Sequence, residues 1–455
     1  MHYLSTRNSN LKESFETILF QGLSKDGGLF LPHTWPTINI NQLKGMNYME
    51  VAFHIIYPFV KENIKENDLK LILDKTFENF THNQIAPLVN IEGNKFILEL
   101  FYGPTLAFKD YAMQFLGNVF AHFLQNNKKK LTVLGATSGD TGSAAIEALK
   151  GKKDINVFIL HPYNRVSNVQ RLQMTTVEDN NIHNIALEGT FDDCQKIVKE
   201  LFLDVEIQSK TSPTAVNSIN WVRLIAQSVY YFWSYLQLDA EKINFIIPSG
   251  NFGNIFSARL AQYMGLPIDQ LHLVTNANDI LHRTISSGRM AINKVQKTYS
   301  PSMDIQISSN FERQIFESLR RNSEDLINIM KSFLDKGSYS LPNMVIQDLQ
   351  SNYNSSSVSN DQTLETIKKF KKNYNYLADP HTATGLYILD QKKSDFPIVS
   401  LACAHPAKFG SAIEKAIGEK PIFPDQLQKV FDKKEKFTIL KNNIEAVKQY
   451  ILGYL

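Results

Sequence analysis

The sequence predicts an α/β fold built on open parallel sheets, and three observations support this prediction. Residues 131–136 form an apolar run, which a small, polar turn and an alanine-rich stretch connect to a second apolar run at 155–160. A similar strand, turn and helix pattern occupies 243–264, and a third strand-like run lies at 396–403. Strands that alternate with helical patterns are typical of βαβ units and of parallel sheets.

Three consecutive lobes are predicted along the 455 residues. Residues 1–90 are expected to form a mostly helical N-terminal lobe, in which 46–63 has the clearest apolar pattern. One α/β lobe follows at 91–235 and a second at 236–455. Within the last lobe, the polar, low-complexity run 351–360 is expected to be an exposed loop in an otherwise helical insertion.

A lysine at position 109 occupies an unusual place in the chain. It follows a turn and an apolar run at 103–108 and precedes a helix predicted to begin at Asp110. A lysine on such a rigid element can be desolvated, which lowers its pKa and leaves an amine that reacts with carbonyl groups. Most lysines are solvated surface charges instead, so Lys109 alone does not establish a catalytic site.

Two strand-to-helix turns offer places for anions. The turn 137–142 combines glycines with hydroxyl side chains at a helix N-terminus, whose amides can donate to a carboxylate or phosphate; an ordinary tight turn is the alternative. In the turn 249–254, two glycines flank an aromatic residue, which suits a phosphate cradle of backbone amides. Its spacing is not G-x-G-x-x-G and it has no P-loop lysine, so dinucleotide and Walker nucleotide sites are disfavoured.

The third strand run, 396–403, leads into Cys403 and His405. In open parallel sheets, ligands bind in the crevice outside the carboxyl ends of the strands, so these ends are expected to form one site. Taken alone, Cys403 would be a small buried hydrophobic residue, and His405 with Pro406 would be a turn.

The composition, with 43% hydrophobic residues, is that of a globular protein with two or three lobes. A net charge of +3 gives no support for nucleic-acid binding, and a solvated helix end explains the cluster Lys128, Lys129 and Lys130. Two cysteines exclude a disulfide framework and fit a reducing compartment. Since no secretory signal or membrane-length apolar run is visible, we expect a cytoplasmic protein without a membrane partner, and we assign no residue to a metal.

Seven segments between about residues 20 and 410 resemble the threonine synthase family, and they occur in the family's order. They are Gln21-Gly22-Leu23 with Asp26-Gly27-Gly28-Leu29-Phe30, Gly103-Pro104-Thr105-Leu106-Ala107-Phe108-Lys109-Asp110, Ala136-Thr137-Ser138-Gly139-Asp140-Thr141-Gly142, Asn217-Ser218-Ile219-Asn220 with Arg223, Pro248-Ser249-Gly250-Asn251-Phe252-Gly253, Asp379-Pro380-His381, and Ala404-His405-Pro406-Ala407-Lys408-Phe409. The resemblance implies pyridoxal-phosphate fold type II, that of the tryptophan-synthase β subunit: two open, twisted α/β lobes with the cofactor in the cleft, plus a mostly helical N-terminal lobe.

The same resemblance implies a pyridoxal-phosphate-dependent carbon–oxygen lyase acting on phosphates. It would convert O-phospho-L-homoserine and water to L-threonine and phosphate by γ-elimination and β-addition of water, the last step of threonine biosynthesis. Lys109 matches the family's Schiff-base lysine, whose freed amine then serves as general base and acid. The cofactor is the electron sink, and the protein supplies placement and electrostatics.

The remaining site residues are carried over from the family in the same way. Those matching the cradle of the cofactor's 5′-phosphate are Gly250, Asn251, Phe252, Gly253 and Asn254. Those matching the site of the substrate's phosphate are Asn217, Ser218 and Arg223, where a guanidinium can form a bidentate fork. Those expected to hold the substrate carboxylate are Thr137, Ser138 and Thr141. Asp140 is assigned to the surroundings of the cofactor, near the pyridine hydroxyl.

One residue departs from the family pattern. Cys403 stands where threonine synthases usually have threonine beside the pyridine nitrogen, and a thiol is a weaker donor than a hydroxyl. The change is compatible with cofactor binding but leaves open the partition between replacement and simple elimination. His405 either orients the cofactor or fills a turn.

Two other functions stay open at this stage. A phospholyase or amino-acid dehydratase on the same fold would release a 2-oxo acid, and 2-oxobutyrate as main product would identify it. A paralogue without catalysis would be a binding or regulatory protein, although the intact Lys109, phosphate loop and Arg223 argue against it. The sequence does not decide between a monomer and a homodimer, and it identifies no effector.

Overall fold

The computed structural model of the chain describes residues 1–126 and 130–455. Two members of the basic cluster noted in the sequence, Lys128 and Lys129, lie outside these ranges. In the described part of the chain, no helix is long and apolar enough to cross a membrane.

The strands alternate with helices along most of the chain. The strands are β1 (Tyr3–Ser5), β2 (Asn8–Glu13), β3 (Phe30–Pro32), β4 (Leu88–Glu92), β5 (Lys95–Glu99), β6 (Leu131–Ala136), β7 (Ile155–Pro162), β8 (Ile182–Glu188), β9 (Pro213–Thr214), β10 (Ile243–Pro248), β11 (Ile268–Thr275), β12 (Arg289–Ala291), β13 (Ser338–Ser340), β14 (Tyr353–Ser357), β15 (Ile398–Ala402) and β16 (Thr438–Lys441).

The α-helices are α1 (Phe15–Gln21), α2 (Tyr48–Val60), α3 (Glu66–Phe77), α4 (Lys109–Asn126), α5 (Asp140–Leu149), α6 (Asn168–Thr175), α7 (Phe191–Leu203), α8 (Val205–Lys210), α9 (Trp221–Leu236), α10 (Gly253–Tyr263), α11 (Ile280–Ser287), α12 (Phe311–Ser318), α13 (Ser323–Lys336), α14 (Asn343–Asn352), α15 (Asn360–Tyr374), α16 (Pro380–Gln391), α17 (Gly410–Ile417), α18 (Asp425–Phe431) and α19 (Ile444–Leu452). Short 3₁₀ turns occupy Ile40–Leu43, Pro301–Met303 and Pro406–Phe409.

Two mainly parallel sheets form the frame of the described residues. The larger has six strands in the order β14-β11-β10-β15-β5-β4, and only its edge pair β4–β5 is antiparallel. The smaller has five strands in the order β16-β8-β7-β6-β9, all parallel. The predicted α/β fold is confirmed, and β6, α5 and β7 form the βαβ unit expected at 131–160.

Both sheets combine segments that are distant in sequence. β5 pairs with β15, so residues 95–99 belong to the same sheet as residues from the last third of the chain. β16 pairs with β8, which returns the C-terminal segment to the smaller sheet. The chain therefore passes between the two sheets more than once, and the boundaries at residues 90 and 235 stay a prediction.

The N-terminal segment contains a small antiparallel sheet, β2-β1-β3, in addition to helices. Its α2 lies within the predicted apolar segment 46–63 and begins with a capping box between Asn47 and Glu50. α2 packs on α9 and α3 packs on α4, so apolar side chains of this segment join the main hydrophobic core. These contacts hold α4, the helix that Lys109 begins.

The prediction of an exposed loop at 351–360 is wrong in its central part. Tyr353–Ser357 forms β14, which pairs in parallel with β11 at the edge of the larger sheet. Polar contacts suit this edge: the Ser356 hydroxyl lies 2.9 Å from Nε2 of His272 on β11, and the Ser355 hydroxyl lies 3.0 Å from Nδ1 of His282 on α11. The serine-rich composition conceals the strand because strand formation depends on neighbours more than on intrinsic propensity.

The carboxyl ends of three adjacent strands, β5, β15 and β10, lie at the same edge of the larger sheet. The chain continues from β5 towards Lys109, from β15 into Cys403 and from β10 into Gly250. The amide of Phe108 donates to the carbonyl of Cys403 at 2.8 Å, so the segment before Lys109 is fixed to the end of β15.

Substituting Gly385 by alanine is predicted to lower stability. Gly385 lies in α16, and an added Cβ would come within 2.6 Å of Ser400 Oγ on β15 and 3.2 Å of the Pro248 ring on β10. Overpacking of this kind costs about 1–3 kcal/mol. In the control Gly453→Ala, the nearest atom to the new Cβ would be a carbonyl oxygen at 3.4 Å. Urea unfolding should show a lower midpoint for Gly385→Ala only; equal midpoints would contradict this packing.

Candidate active site

The amine of Lys109 lies in a buried group of polar side chains. Its Nζ is 3.4 Å from Asp140 Oδ2 and 3.2 Å from Ser302 Oγ. Burial lowers the pKa of Lys109, and the positive charges of Lys408 and Arg223 lower it further, whereas Asp140 opposes them. A lowered pKa increases the fraction of the lysine that is neutral, and the neutral amine is the form that acts as nucleophile and base.

The segment before Lys109 is held by Asp110, the second residue of α4. The Asp110 carboxylate accepts hydrogen bonds from the Thr105 amide at 2.9 Å and from the Thr105 hydroxyl at 2.6 Å. Burial raises the pKa of Asp110 to about 6, against the effect of these donors. Gly103 is needed beside it, because a Cβ there would lie 2.5 Å from Asp110 Cβ. This local motif fixes the start of α4 and thus the position of Lys109.

Asp140 approaches Lys109 from the other sheet. It is the first residue of α5, which follows β6, and its Oδ1 lies 2.8 Å from both Gln170 Nε2 and Lys408 Nζ. Burial alone would raise the pKa of Asp140, but the charges of Lys408 and Lys109 hold it well below its usual range. Asp140 is therefore an ionised carboxylate next to the amine of Lys109.

The three hydroxyl side chains of the turn 137–142 differ in their hydrogen bonds. The Thr137 hydroxyl is buried and accepts hydrogen bonds from the amides of Gly139 and Gly142 at 3.0 Å and 2.9 Å. Ser138 and Thr141 are half-buried, and their hydroxyls have no hydrogen-bond partner within residues 1–126 and 130–455. Thr137 thus shapes the turn, while Ser138 and Thr141 keep hydroxyls available for a ligand.

The turn after β10 has the features of a phosphate site. The backbone amides of 250–254 donate to no acceptor in the described part of the chain, and α10 begins without a side-chain cap. The Asn254 side chain is buried, and its Nδ2 has no partner there although Tyr231 donates to its Oδ1 at 2.8 Å. A Cβ at Gly250 would lie 3.0 Å from Ile305 and 3.1 Å from Met303, so the turn is closely covered. Free amides at a helix N-terminus bind phosphate well, so these residues fit the phosphate of the predicted cofactor.

The residues assigned to a second anion lie beside this turn. The Ser218 hydroxyl accepts from Asn310 Nδ2 at 3.3 Å, and a Cβ on Gly253 would lie 3.6 Å from Ser218 Cβ. Arg223 is buried, its Nη1 donates to the carbonyl of Val216 at 3.2 Å, and its Nε has no partner in the described residues. Burial lowers the pKa of Arg223 to about 10, which leaves it charged at neutral pH.

Asn217 is the predicted site residue that the structure does not connect to the others. Its side chain is exposed and makes no hydrogen bond within the described ranges, while its carbonyl accepts from the Asn220 amide at 3.3 Å. It belongs to the turn that leads into α9 and Arg223.

Cys403 lies at the end of β15 and is buried. Its amide donates to the Thr382 hydroxyl at 2.8 Å, and its thiol makes a long contact of 3.9 Å with the carbonyl of Leu401. Burial and, after it, the charge of Asp379 raise the pKa of Cys403 well above its usual value. The thiol is therefore neutral and keeps a proton to donate.

His405 fills a turn. Its Nδ1 accepts from the Ala407 amide at 3.2 Å, and its ring stands edge-on to Phe101 with centroids 5.7 Å apart. Burial lowers the pKa of His405 to about 4, so its ring is neutral. These contacts favour the turn interpretation over a role in orienting a cofactor.

Several groups at the site were not assigned from the sequence. Ser302, in the 3₁₀ turn Pro301–Met303 that covers Gly250, accepts a hydrogen bond from Lys109, and its amide donates to His381 Nε2 at 3.2 Å. Asp379 is fully buried and accepts from His381 Nδ1 at 2.8 Å and the Ala404 amide at 3.2 Å. His381 and Lys408 lie in segments that resemble the family, but the sequence assigned them no function. Nothing in the residues around Ser302 indicates a site.

Three protein-family models together match most of the chain. A model described as “Pyridoxal-phosphate dependent enzyme” matches residues 83–340. It is flanked by “Threonine synthase N terminus” at residues 2–77 and “Threonine synthase, C-terminal” at residues 382–451. The chain is a pyridoxal-phosphate-dependent enzyme, as the buried lysine and the phosphate turn predict.

Comparisons with individual proteins show to which family of this class the chain belongs. The threonine synthase of Pseudomonas aeruginosa is 44% identical over 99% of this chain and 98% of its own length. The threonine synthase of Saccharomyces cerevisiae is 43% identical over 99% of this chain and 97% of its own length. A structure of pyridoxal-phosphate-bound threonine synthase from Brucella melitensis superposes with a TM-score of 0.97 at 42% identity, covering 100% of this chain and 99% of that one. The chain belongs to the threonine synthase family, which confirms the family, fold type and cofactor predicted from the sequence.

Proposed function

We propose that this chain converts O-phospho-L-homoserine and water to L-threonine and phosphate. The observation that carries the proposal is the buried amine of Lys109, which lies at the carboxyl ends of the larger sheet beside two separate groups of anion donors. One cofactor phosphate and one substrate phosphate require two such groups. Pyridoxal phosphate, when bound, supplies the electron sink that stabilises negative charge on the substrate's carbon atoms.

The cofactor would be held at three places. Lys109 would provide the covalent attachment. The amides of 250–254 and Nδ2 of Asn254, which have no acceptor among the residues that the structure describes, would receive the 5′-phosphate. The neutral thiol of Cys403 supplies a weak donor for the ring nitrogen. Asp140 remains ionised next to the amine and contributes a fixed negative charge to the cofactor's surroundings.

The substrate would be oriented at both ends. Ser138 and Thr141 offer free hydroxyls for its carboxylate, and Thr137 keeps their turn in shape. Arg223 is the main group for the substrate phosphate, because its buried guanidinium makes a single hydrogen bond to the described residues and its Nε makes none with them. Ser218 lies in the preceding turn, and the exposed Asn217 next to it is kept in this group on the family resemblance. A charge so poorly compensated by the protein favours binding of an anion.

Lys109 would carry the protons. Once released from the cofactor, its amine removes a proton from the substrate's Cα and moves protons at Cβ and Cγ as phosphate leaves and water adds at Cβ. The lowered pKa of Lys109 suits a group that must alternate between base and acid near neutral pH. Arg223 stabilises the negative charge of the departing phosphate.

We also propose a cytoplasmic location and a monomeric or homodimeric state. Both cysteines, Cys194 and Cys403, are free and buried, which suits a reducing compartment.

Replacing Lys109 with alanine should abolish the reaction. We expect the wild type to show the yellow absorption of the lysine-bound cofactor and to release threonine and phosphate in equal amounts. Without the amine, the band should be absent and kcat should fall by about 10²–10⁴-fold or more. The exposed Lys420 provides the control Lys420→Ala. Release of 2-oxobutyrate with phosphate by the wild type would identify an eliminating enzyme instead, and an unchanged band in Lys109→Ala would refute the role of Lys109.

Replacing Arg223 with lysine should weaken substrate binding while leaving the cofactor in place. A lysine keeps the charge but not the bidentate fork, and losing one hydrogen bond to a charged group costs about 1.5–3 kcal/mol. We therefore expect KM for O-phospho-L-homoserine to rise about tenfold or more with an unchanged cofactor band. The exposed Arg289 supplies the control Arg289→Lys. An unaltered KM, or loss of the cofactor band, would contradict this assignment of Arg223.

A further inference from the structure

A second lysine, Lys408, lies in the same buried cluster as Lys109. It belongs to the short turn Pro406–Phe409 after β15, and its side chain has no exposed surface. Its Nζ donates to Asp140 Oδ1 at 2.8 Å and to the carbonyl of Thr105 at 2.7 Å. Both acceptors are at the short distances typical of an ammonium group.

Lys109 is bound less tightly to the same carboxylate. Its Nζ is 3.4 Å from Asp140 Oδ2 and 3.2 Å from Ser302 Oγ. Of the two oxygens of Asp140, Oδ1 is already occupied by Lys408 and by Gln170 at 2.8 Å. The carboxylate is thus shared unequally, and Lys408 has the closer ion pair.

Two buried lysines around one carboxylate compete for its charge. Both lysines contact Asp140, so when both are protonated two buried ammonium groups share one carboxylate, and a buried charge without a full partner is unfavourable. Asp110 also feels the charge of Lys408, but its carboxylate is bonded to Thr105. The lysine that loses its proton more easily is the one with the longer, weaker contacts, which is Lys109.

We propose that Lys408 is a positioning residue whose ammonium group is the permanent counter-ion of Asp140, so that Lys109 is the lysine left with a neutral amine for the cofactor. The inference rests on the role proposed for Lys109. Without Lys408, Asp140 would pair with Lys109 and keep that amine protonated. The two lysines thus have different functions: Lys408 neutralises the charge of Asp140, and Lys109 reacts with the cofactor.

Among the described residues, the other groups around Lys109 do not offer Asp140 a counter-ion equivalent to Lys408. Arg223, on α9, adds positive charge, and its guanidinium is bonded to the carbonyl of Val216. Ser302 offers a neutral hydroxyl, and the thiol of Cys403 is neutral because burial raises its pKa.

In the described residues, Asp140 is the carboxylate within 4.0 Å of Lys109 Nζ. His381 faces Asp140 and is paired with Asp379, so it does not replace Lys408.

The test measures how Lys109 captures pyridoxal phosphate in apoenzyme, before any turnover. Capture requires the neutral amine and releases one water, so its rate should rise with pH through a midpoint set by Lys109. In Lys408→Met this midpoint should move up by one pH unit or more, which makes capture about tenfold slower at pH values below both midpoints. Lys408→Arg retains the cation and should keep the wild-type midpoint.

A double variant separates charge from packing. In Lys408→Met with Asp140→Asn the carboxylate that would hold the Lys109 proton is gone, so the midpoint should return to the wild-type value or below it. A double variant as strongly shifted as Lys408→Met alone would overturn the proposal, as would an unchanged midpoint in Lys408→Met. Lys420→Met, at an exposed position, is the control.

The proposal can be tested even if Lys408→Met does not fold. If circular dichroism shows that Lys408→Met is unfolded, the single variant Asp140→Asn decides. In that variant the charge of Lys408 is no longer neutralised by Asp140, so the midpoint of Lys109 should fall; an unchanged or raised midpoint would refute the proposal. Absence of any cofactor band in the wild type would instead refute the proposed function, so the two failures are distinguishable.

Discussion

The ionised carboxylate of Asp140 is the constraint on which the site depends. It begins α5 behind a strand of the smaller sheet, yet it binds Lys109 and Lys408, which follow β5 and β15 of the larger sheet. A buried charge is tolerated when it is paired and hydrogen-bonded, and Asp140 also accepts from Gln170. The two sheets must therefore keep a fixed relation at this point, which aligns the amine with the turns that would receive the anions.

The turns around this carboxylate adopt conformations that ordinary loops avoid. Leu106, before Lys109, and Phe252, at the start of α10, have φ near 60°, and Gly139, before α5, has φ of 148°. For Leu106 and Phe252 a positive φ costs about 1–3 kcal/mol each and persists where the surroundings enforce it, whereas a glycine such as Gly139 adopts it without that cost. Phe252 is held by Phe311 and Tyr353, with ring centroids 5.0 Å and 5.5 Å away, and Gly139 by Gln170, which leaves no room for a Cβ. The packing thus stabilises the backbone geometry that exposes free amides to a ligand.

Features encoded locally could be predicted from the sequence, and those that arise from tertiary contacts could not. β6, α5, β7 and β10 follow from apolar runs joined to turns of small residues, and Lys109 is recognisable from the segment that holds it. The strand at Tyr353–Ser357 was missed because its stability comes from pairing with β11. Ser302 and Lys408 reach the site only after distant parts of the chain have packed together, so their local sequence gives no account of their partners.

The most direct test of the account is to determine which lysine carries the cofactor. Holoenzyme would be reduced with borohydride to fix pyridoxal phosphate to its lysine, digested, and analysed by mass spectrometry. We expect the label on Lys109 and an unlabelled Lys408, although both amines are buried beside the same carboxylate. A label on Lys408 would reverse the roles of the two lysines and contradict the central claim.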